Sequence, residues 1–387
     1  MMALKHSNIP VLPLILLALL CGVLVGGHLI PLEVKQHLLS ISLLLKSILL
    51  LVLPFIIFIY IFSCLTSFEG NVFLFIGLLM AAVCFSNFLS TMIAYGLSQG
   101  GLPTIAGDVF AIKGHLDPAW SVSLPSLISN EWALCLGFAS GVIFSFYPRP
   151  WVIKLSEKGK TAATLFLDKF FIPLIPLFIL GFLLKMESEG ILWQLVKTYF
   201  PILGLLIGFY ACYILFLYWI AACYKIQTMF LYIRRMLPAG FTGFSAMSSA
   251  AAMPLTIKGA EANTGRPELV KAIIPATVSI HLIGDSIGIP ILGIAILLTF
   301  GYPIPDFSTF IIFVGYFILA KFAIAAVPGG GIIVMLPVLE KHLGFTPDML
   351  ALITALYLLF DPFFTFTNVM GNGAFAVIVS RFFKKGK

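Results

Sequence analysis

The stretch Asp361-Pro362-Phe363-Phe364-Thr365-Phe366-Thr367-Asn368-Val369-Met370-Gly371-Asn372 decides how this chain reads. Asp361, Thr365, Asn368 and Asn372 follow one another at spacings of four, three and four. On a helix that spacing puts all four on one face. Their surroundings are largely apolar. Polar and ionisable groups are expensive inside a bilayer, so they face a cavity, a partner or an ion. Upstream, Val327-Pro328-Gly329-Gly330-Gly331 splits an apolar stretch into two arms. Irregular backbone at membrane depth is tolerated only where protein buries it or it lines a cavity. A broken element beside a polar-faced helix points to a solute path through a membrane.

Composition agrees. Of 387 residues, 60% are hydrophobic and only 10% are charged. A water-soluble surface cannot be made from so few charges, so the chain reads as an all-α polytopic membrane protein. Its long, continuous apolar runs exclude the alternating strands of a β-barrel. The first run, 9–30, reads as a retained helix and not a signal peptide. The net charge of +7 sits in short loops, which fits the positive-inside rule and not nucleic-acid binding. Cys21, Cys64, Cys84, Cys135, Cys212 and Cys223 are scattered without a C-x-x-C pair. They read as small buried hydrophobes.

Spans are expected at 9–30, 38–64, 72–98, 131–147, 162–184 and 198–224. After residue 225 the texture changes. Residues 226–257 form two short arms around a serine-rich tip, and 268–300 is long but broken by His281, Gly284, Asp285, Gly288 and Pro290. A second pair of arms, 308–326 and 332–343, flanks the Pro-Gly run, and a last helix covers 347–380. The reading is therefore eight transmembrane helices plus two re-entrant hairpins. Residues 1–224 hold the first six spans, and 225–387 hold a transport core. Interrupted segments in matching positions are the mark of inverted repeats with a site near the midplane. With both termini inside, the inner loops collect Arg149, Lys154, Lys158, Lys160, Lys225, Arg234 and Arg235 with the C-terminal lysines. The outer segments keep the smaller set Lys35, Lys113, Lys185, Lys197 and Lys341.

Three motifs carry a resemblance. Ser248-Ser249-Ala250-Ala251-Ala252-Met253-Pro254, Val327-Pro328-Gly329-Gly330-Gly331 and Asn368-Val369-Met370-Gly371-Asn372 follow in order. The chain resembles the dicarboxylate/amino acid:cation symporter family, which includes glutamate and neutral amino-acid transporters. The resemblance implies an elevator-type transporter and a homotrimer. Spans one, two, four and five would form the scaffold. Spans three and six, both hairpins and the last two helices would move. Asp361 takes the place of the carboxylate for the substrate ammonium, with Thr365 beside it. Asn368 takes the place of the amide that contacts the substrate carboxylate or backbone. Backbone N–H groups near Ser248, Ser249 and Ala250, and along the run from Val327 past Pro328 to Gly329 and Gly330, would cradle a carboxylate, as helix N-termini do.

The departures from the family pattern narrow the substrate and blur the ion. Phe364 stands where acidic-substrate members have an arginine, and Met247 replaces the first hairpin's arginine. A guanidinium fork holds a carboxylate by two contacts, and a phenyl ring cannot. The seventh helix reads His281-Leu282-Ile283-Gly284-Asp285 where the family has Asn-Met-Asp-Gly-Thr. Asn372 replaces a cation-binding aspartate. One reading keeps a sodium site of carbonyls near Ser279, Leu282 and the second hairpin, beside Asn368 and Asn372. The other puts a coupling proton on His281 and Asp285, four apart on one helix. Lys321 snorkels, pairs with Asp285 or stands in as a tethered cation. Ser86, Asn87, Ser90 and Thr91 add a polar patch on the third helix.

The functional reading is a secondary active symporter for amino acids, neutral by the Phe364 argument, coupled to sodium or a proton. The alternative is a dicarboxylate or acidic amino-acid:sodium symporter. An ion channel or a membrane-embedded enzyme is the alternative of another class. An enzyme would need a nucleophile–base set, and no serine or cysteine motif accompanies His281 and Asp285. No cofactor or metal is expected beyond a coupling Na+ or H+. The partners are an amino acid substrate and membrane lipid, with no nucleic acid. The place is the cell membrane, with both termini cytoplasmic.

Overall fold

The computed structural model describes residues 11–66, 73–106, 109–110, 114–122, 124, 127–147, 149–324 and 329–382. Among the described residues the fold is all-helical, with no strand. The first half comprises α1 (Val11–Gly26), α2 (Leu32–Thr66), α3 (Phe73–Ala106), α4 (Asn130–Phe146), α5 (Pro150–Phe166), α6 (Ile172–Ser188) and α7 (Leu192–Ala221). The second half comprises α8 (Ile226–Ala246), α9 (Ser249–Thr264), α10 (Pro267–Thr277), α11 (Ile283–Thr299), α12 (Phe307–Ala320), α13 (Gly330–Leu343) and α14 (Pro347–Ser380). Among the described residues, five stretches are long and apolar enough to cross a membrane: Leu32–Thr66, Gly77–Ala106, Pro150–Ser188, Leu192–Ala221 and Pro347–Ser380.

Several expected boundaries move; the second and sixth spans each start six residues early, at Leu32 and Leu192. The third span runs on to Ala106. The fifth begins at Pro150, so Lys154, Lys158 and Lys160 lie on a helix and not in a loop. Proline at the first helical position is pre-organised for this start. A π-turn at Leu167–Phe171 then joins α5 to α6. It immediately precedes Pro173, whose ring would crowd the carbonyl four residues back, and a wider turn makes room.

The second half follows from its caps. Met247 closes α8 in the left-handed region (φ 50°), and the Ser248 hydroxyl accepts the Ala251 N–H at 3.3 Å to start α9. The Asp306 carboxylate accepts the Thr309 N–H at 2.8 Å and starts α12. Thr346 caps α14, with Pro347 first and Asp348 in the opening turn. These are the residues helix N-termini favour. Gly329, with φ 72°, precedes α13. That backbone suits glycine. Val327 and Pro328 lie outside the described residues.

α11 and α14 form the centre. Every residue of α11 except Leu298 is buried, as is most of α14. A helix that is apolar all round belongs inside. α3, α7, α8 and α9 pack on this pair, and α12 packs on α13. α2 instead packs on α4, α5 and α6. At one end Lys35 meets Glu187 at 2.7 Å and Lys185 meets Asp348 at 2.6 Å. At the other, Arg266 donates to the Ser380 carbonyl at 2.5 Å, and Arg381 donates to the Ile220 carbonyl at 3.3 Å. The cysteines overturn their expected burial. Cys21, Cys135, Cys212 and Cys223 are exposed, and Cys64 and Cys84 are half-buried. A thiol is apolar enough to sit on an outward, lipid-type face.

Candidate functional site

The starts of three helices converge on the polar face of α14. They are α9 at Ser248, α11 at Leu282 and α13 at Gly329. Between them lies a small cavity of about 40 Å³. Ser248, Ser249, Ala250, Ser279, Leu282, Asp285, Gly329, Asp361, Thr365 and Asn368 line it, as do Met247, Val278, Ile324, Gly331 and Tyr357. No lysine or arginine is among these lining residues. A helix start leaves its first N–H groups without intrahelical partners, so the site concentrates donors suited to an anion.

Asp361 faces this cavity. Its Oδ1 accepts the Thr365 hydroxyl at 2.9 Å, and its Oδ2 accepts the Gly329 N–H at 3.2 Å. No basic side chain of the described residues pairs with it. Asp285 accepts the Tyr357 hydroxyl at 2.8 Å and the Asn368 amide at 3.1 Å. Asn368 also accepts the Gly284 N–H at 2.7 Å. Its amide thus ties α14 to the start of α11 and keeps one N–H and one lone pair for a further partner. A Cβ at Gly284 would collide with the Phe364 backbone, so glycine is required where α11 meets α14.

The seventh helix is interrupted. α10 ends at Thr277 and α11 starts at Ile283. Groups from other helices take up the freed backbone. Asn87 on α3 donates to the Ile280 carbonyl at 2.8 Å and accepts the Leu282 N–H at 3.2 Å. Asn372 donates to the His281 carbonyl at 3.2 Å. This break overturns the expected His281–Asp285 pair. His281 Nδ1 meets Asn372 Oδ1 at 3.2 Å, and His281 Nε2 meets Ser86 Oγ at 2.9 Å. A neutral imidazole with its proton on Nδ1 satisfies both contacts. No hydrogen bond or ion pair joins it to Asp285. Four-residue spacing brings side chains together only along an unbroken helix.

Lys321 follows α12 and is fully buried, so it does not snorkel. Its ammonium donates to the Leu282 carbonyl at 2.9 Å, to the Ser286 hydroxyl, and to Asn87 Oδ1 at 3.5 Å. It forms no direct ion pair with Asp285. In the patch on α3, Ser86 and Asn87 reach the broken segment, whereas Ser90 and Thr91 bond carbonyls of their own helix.

Phe364 does not line the cavity. It is fully buried, with ring centroids 5.1 Å from Tyr357 and 5.9 Å from Tyr210. Three residues past Asp361 it sits about 60° round α14, at the edge of the polar face, and its ring turns onto Tyr357 and Tyr210. Gly330 is buried at the start of α13, between the lining residues Gly329 and Gly331. His281, Lys321 and Asn372 lie behind the cavity wall. The sequence reading missed Tyr357. It sits four residues before Asp361, so continuing the spacing backwards would have found it. It also missed Ser286, Thr277 and Tyr210, whose partners lie on other helices.

The sequence pattern of the sodium:dicarboxylate symporter family matches residues 132–382, from α4 through the end of α14. The chain belongs to that family. No curated protein matches the chain. Members of this family are transporters, which accords with a multi-pass membrane protein that carries a small molecule. The family points to sodium as the coupling ion and lends no support to a proton.

Proposed function

We propose that this symporter moves neutral, zwitterionic amino acids with sodium. The observation that carries the reading is Asp361. It is a cavity-facing carboxylate with two hydrogen-bond donors but no cation partner among the described residues. A buried charge without a counter-charge is costly, and a substrate ammonium relieves that cost. The unpaired N–H groups that open α9 and α13 would receive the α-carboxylate. Met247, Val278 and Ile324 leave apolar wall for the side chain. Two carboxylates and no basic residue in the lining disfavour a second acidic group on the substrate.

In this reading α8–α9 and α12–α13 are re-entrant hairpins, and α10 with α11 is one broken span. That makes eight spans, with both termini cytoplasmic in the cell membrane. The packing of α3, α7 and the second half around α11 and α14, with α2 packed mainly on α4 to α6, supports a mobile core that rides on a scaffold. Trimerisation rests on the family resemblance alone. The boundary at 224/225 keeps the transport core in the second half, with α3 and α7 joining it by packing.

The test is counterflow in proteoliposomes against a panel of neutral and acidic amino acids and dicarboxylates, in sodium and in choline. Neutral amino acids should compete at least tenfold better than glutamate, aspartate or succinate, and only in sodium. Asp361→Asn should lose amino-acid protection against heat while keeping its elution volume. Preferred transport of acidic substrates, or unchanged affinity in Asp361→Asn, would reject the proposal.

A further inference from the structure

Lys321 is used by nothing in the amino-acid site, yet it has a built environment. Its side chain is fully buried at the end of α12. Three oxygens from two other elements surround the ammonium. They are the Leu282 carbonyl at 2.9 Å, the Ser286 hydroxyl and the Asn87 amide oxygen at 3.5 Å. The Phe317 ring centroid lies 4.8 Å from Nζ, a cation–π distance. A carbonyl from an interrupted helix, a hydroxyl and an amide oxygen are the donor set of a hard cation. Carbonyls at breaks in transporter helices serve this purpose for coupling ions. The ammonium has three donors, and the cage offers three oxygens.

We infer that Lys321 is a built-in cation: its tethered ammonium fills a cation cage formed by Leu282, Ser286 and Asn87, so this part of the transport core takes no sodium ion. The charge lies beside Asp285, the neighbour of Ser286 in sequence, and offsets it without touching it. Both Asp285 oxygens are already engaged by Tyr357 and Asn368. Because the cation is tethered to the second helix pair, it also locks the end of α12 to the start of α11 whether or not free ions are present. The chain would then carry one coupling ion fewer than it has cation cages. The inference rests on the cation-coupled part of the proposed function and not on the substrate's identity.

The test needs no amino acid. Lys321→Ser removes the tethered charge, leaves room for an ion and adds a hydroxyl ligand. Native protein and variant are purified in sodium and in choline at equal ionic strength, and their melting temperatures are compared. A ligand that binds only the folded state raises its stability by an amount that grows with the logarithm of ligand concentration above its Kd. The sodium-minus-choline shift should be larger in Lys321→Ser than in the native protein, by about 4 °C or more. A variant that can be purified only in sodium gives the same answer. Lys321→Met, which fills the space and offers no ligand, should show no such gain. Equal sodium shifts in Lys321→Ser and native protein would overturn the inference. So would a Lys321→Ser variant that is unfolded in both salts, since sodium could not then replace the ammonium.

Discussion

Asn87→Ala tests whether a side chain on α3 holds the break in the seventh helix open. The Asn87 amide donates to the Ile280 carbonyl at 2.8 Å, and its oxygen accepts the Leu282 N–H at 3.2 Å and the Ser286 hydroxyl at 3.1 Å. Asn87 is 1% exposed, so water does not replace it. Truncation strands two buried backbone groups. Each unsatisfied buried group costs about 1–3 kcal/mol, which gives ~2–6 kcal/mol for the variant. Ser90 is the control. Its hydroxyl donates to the Ser86 and Asn87 carbonyls of its own helix, at 2.9 and 3.0 Å, and beyond that helix it meets the Tyr213 hydroxyl and not the broken segment. Those carbonyls keep their helical bonds in Ser90→Ala, which should lose no more than about 1 kcal/mol. Melting in detergent, followed by loss of the native elution peak, reads both. Asn87→Ala should melt about 5 °C or more below the native protein, and Ser90→Ala within about 2 °C of it. Faster hydrogen exchange confined to 278–286 should accompany the first variant only. Equal losses in both variants would refute the clamp and reduce Asn87 to ordinary packing.

Gly329→Ala places a side chain at φ 72° and against Leu358. It should cost at least about 1 kcal/mol and raise the KM for amino-acid uptake, because the Gly329 N–H donates to Asp361; an unchanged KM would count against that contact. Asp306 gives a pH signature outside the membrane: hydrogen bonds from Thr309 and Ser308 hold its carboxyl below the ordinary carboxylate range. Its cap is therefore fully present above the unfolded carboxylate pKa and lost as pH falls through the depressed folded value. Hydrogen exchange at the start of α12 should speed up there in the native protein and not in Asp306→Asn, which keeps a capping side chain at every pH.

Much of the site was legible because local spacing sets local direction. Asp361, Thr365 and Asn368 line one cavity as their four- and three-residue spacing requires. The serine tip and the Pro-Gly run mark where two helix pairs turn. α14 runs from Pro347 to Ser380, within the bounds read from the sequence. Phe364 shows the limit. Its identity argues for a neutral substrate, but its ring packs on Tyr210 and Tyr357, away from the cavity.

The sequence by itself determined an all-helical membrane protein, its interrupted segments and the polar face of its last helix. Apolar run length, helix-breaking residues and helical period are properties of a single segment. Only the tertiary structure decided where the seventh helix comes apart, that His281 and Asp285 go to different partners, and what surrounds Lys321. A helix can break inside a membrane only where other helices satisfy the freed groups. Here those groups come from Asn87 and Asn372, far away along the chain, and no local pattern announces such a pairing.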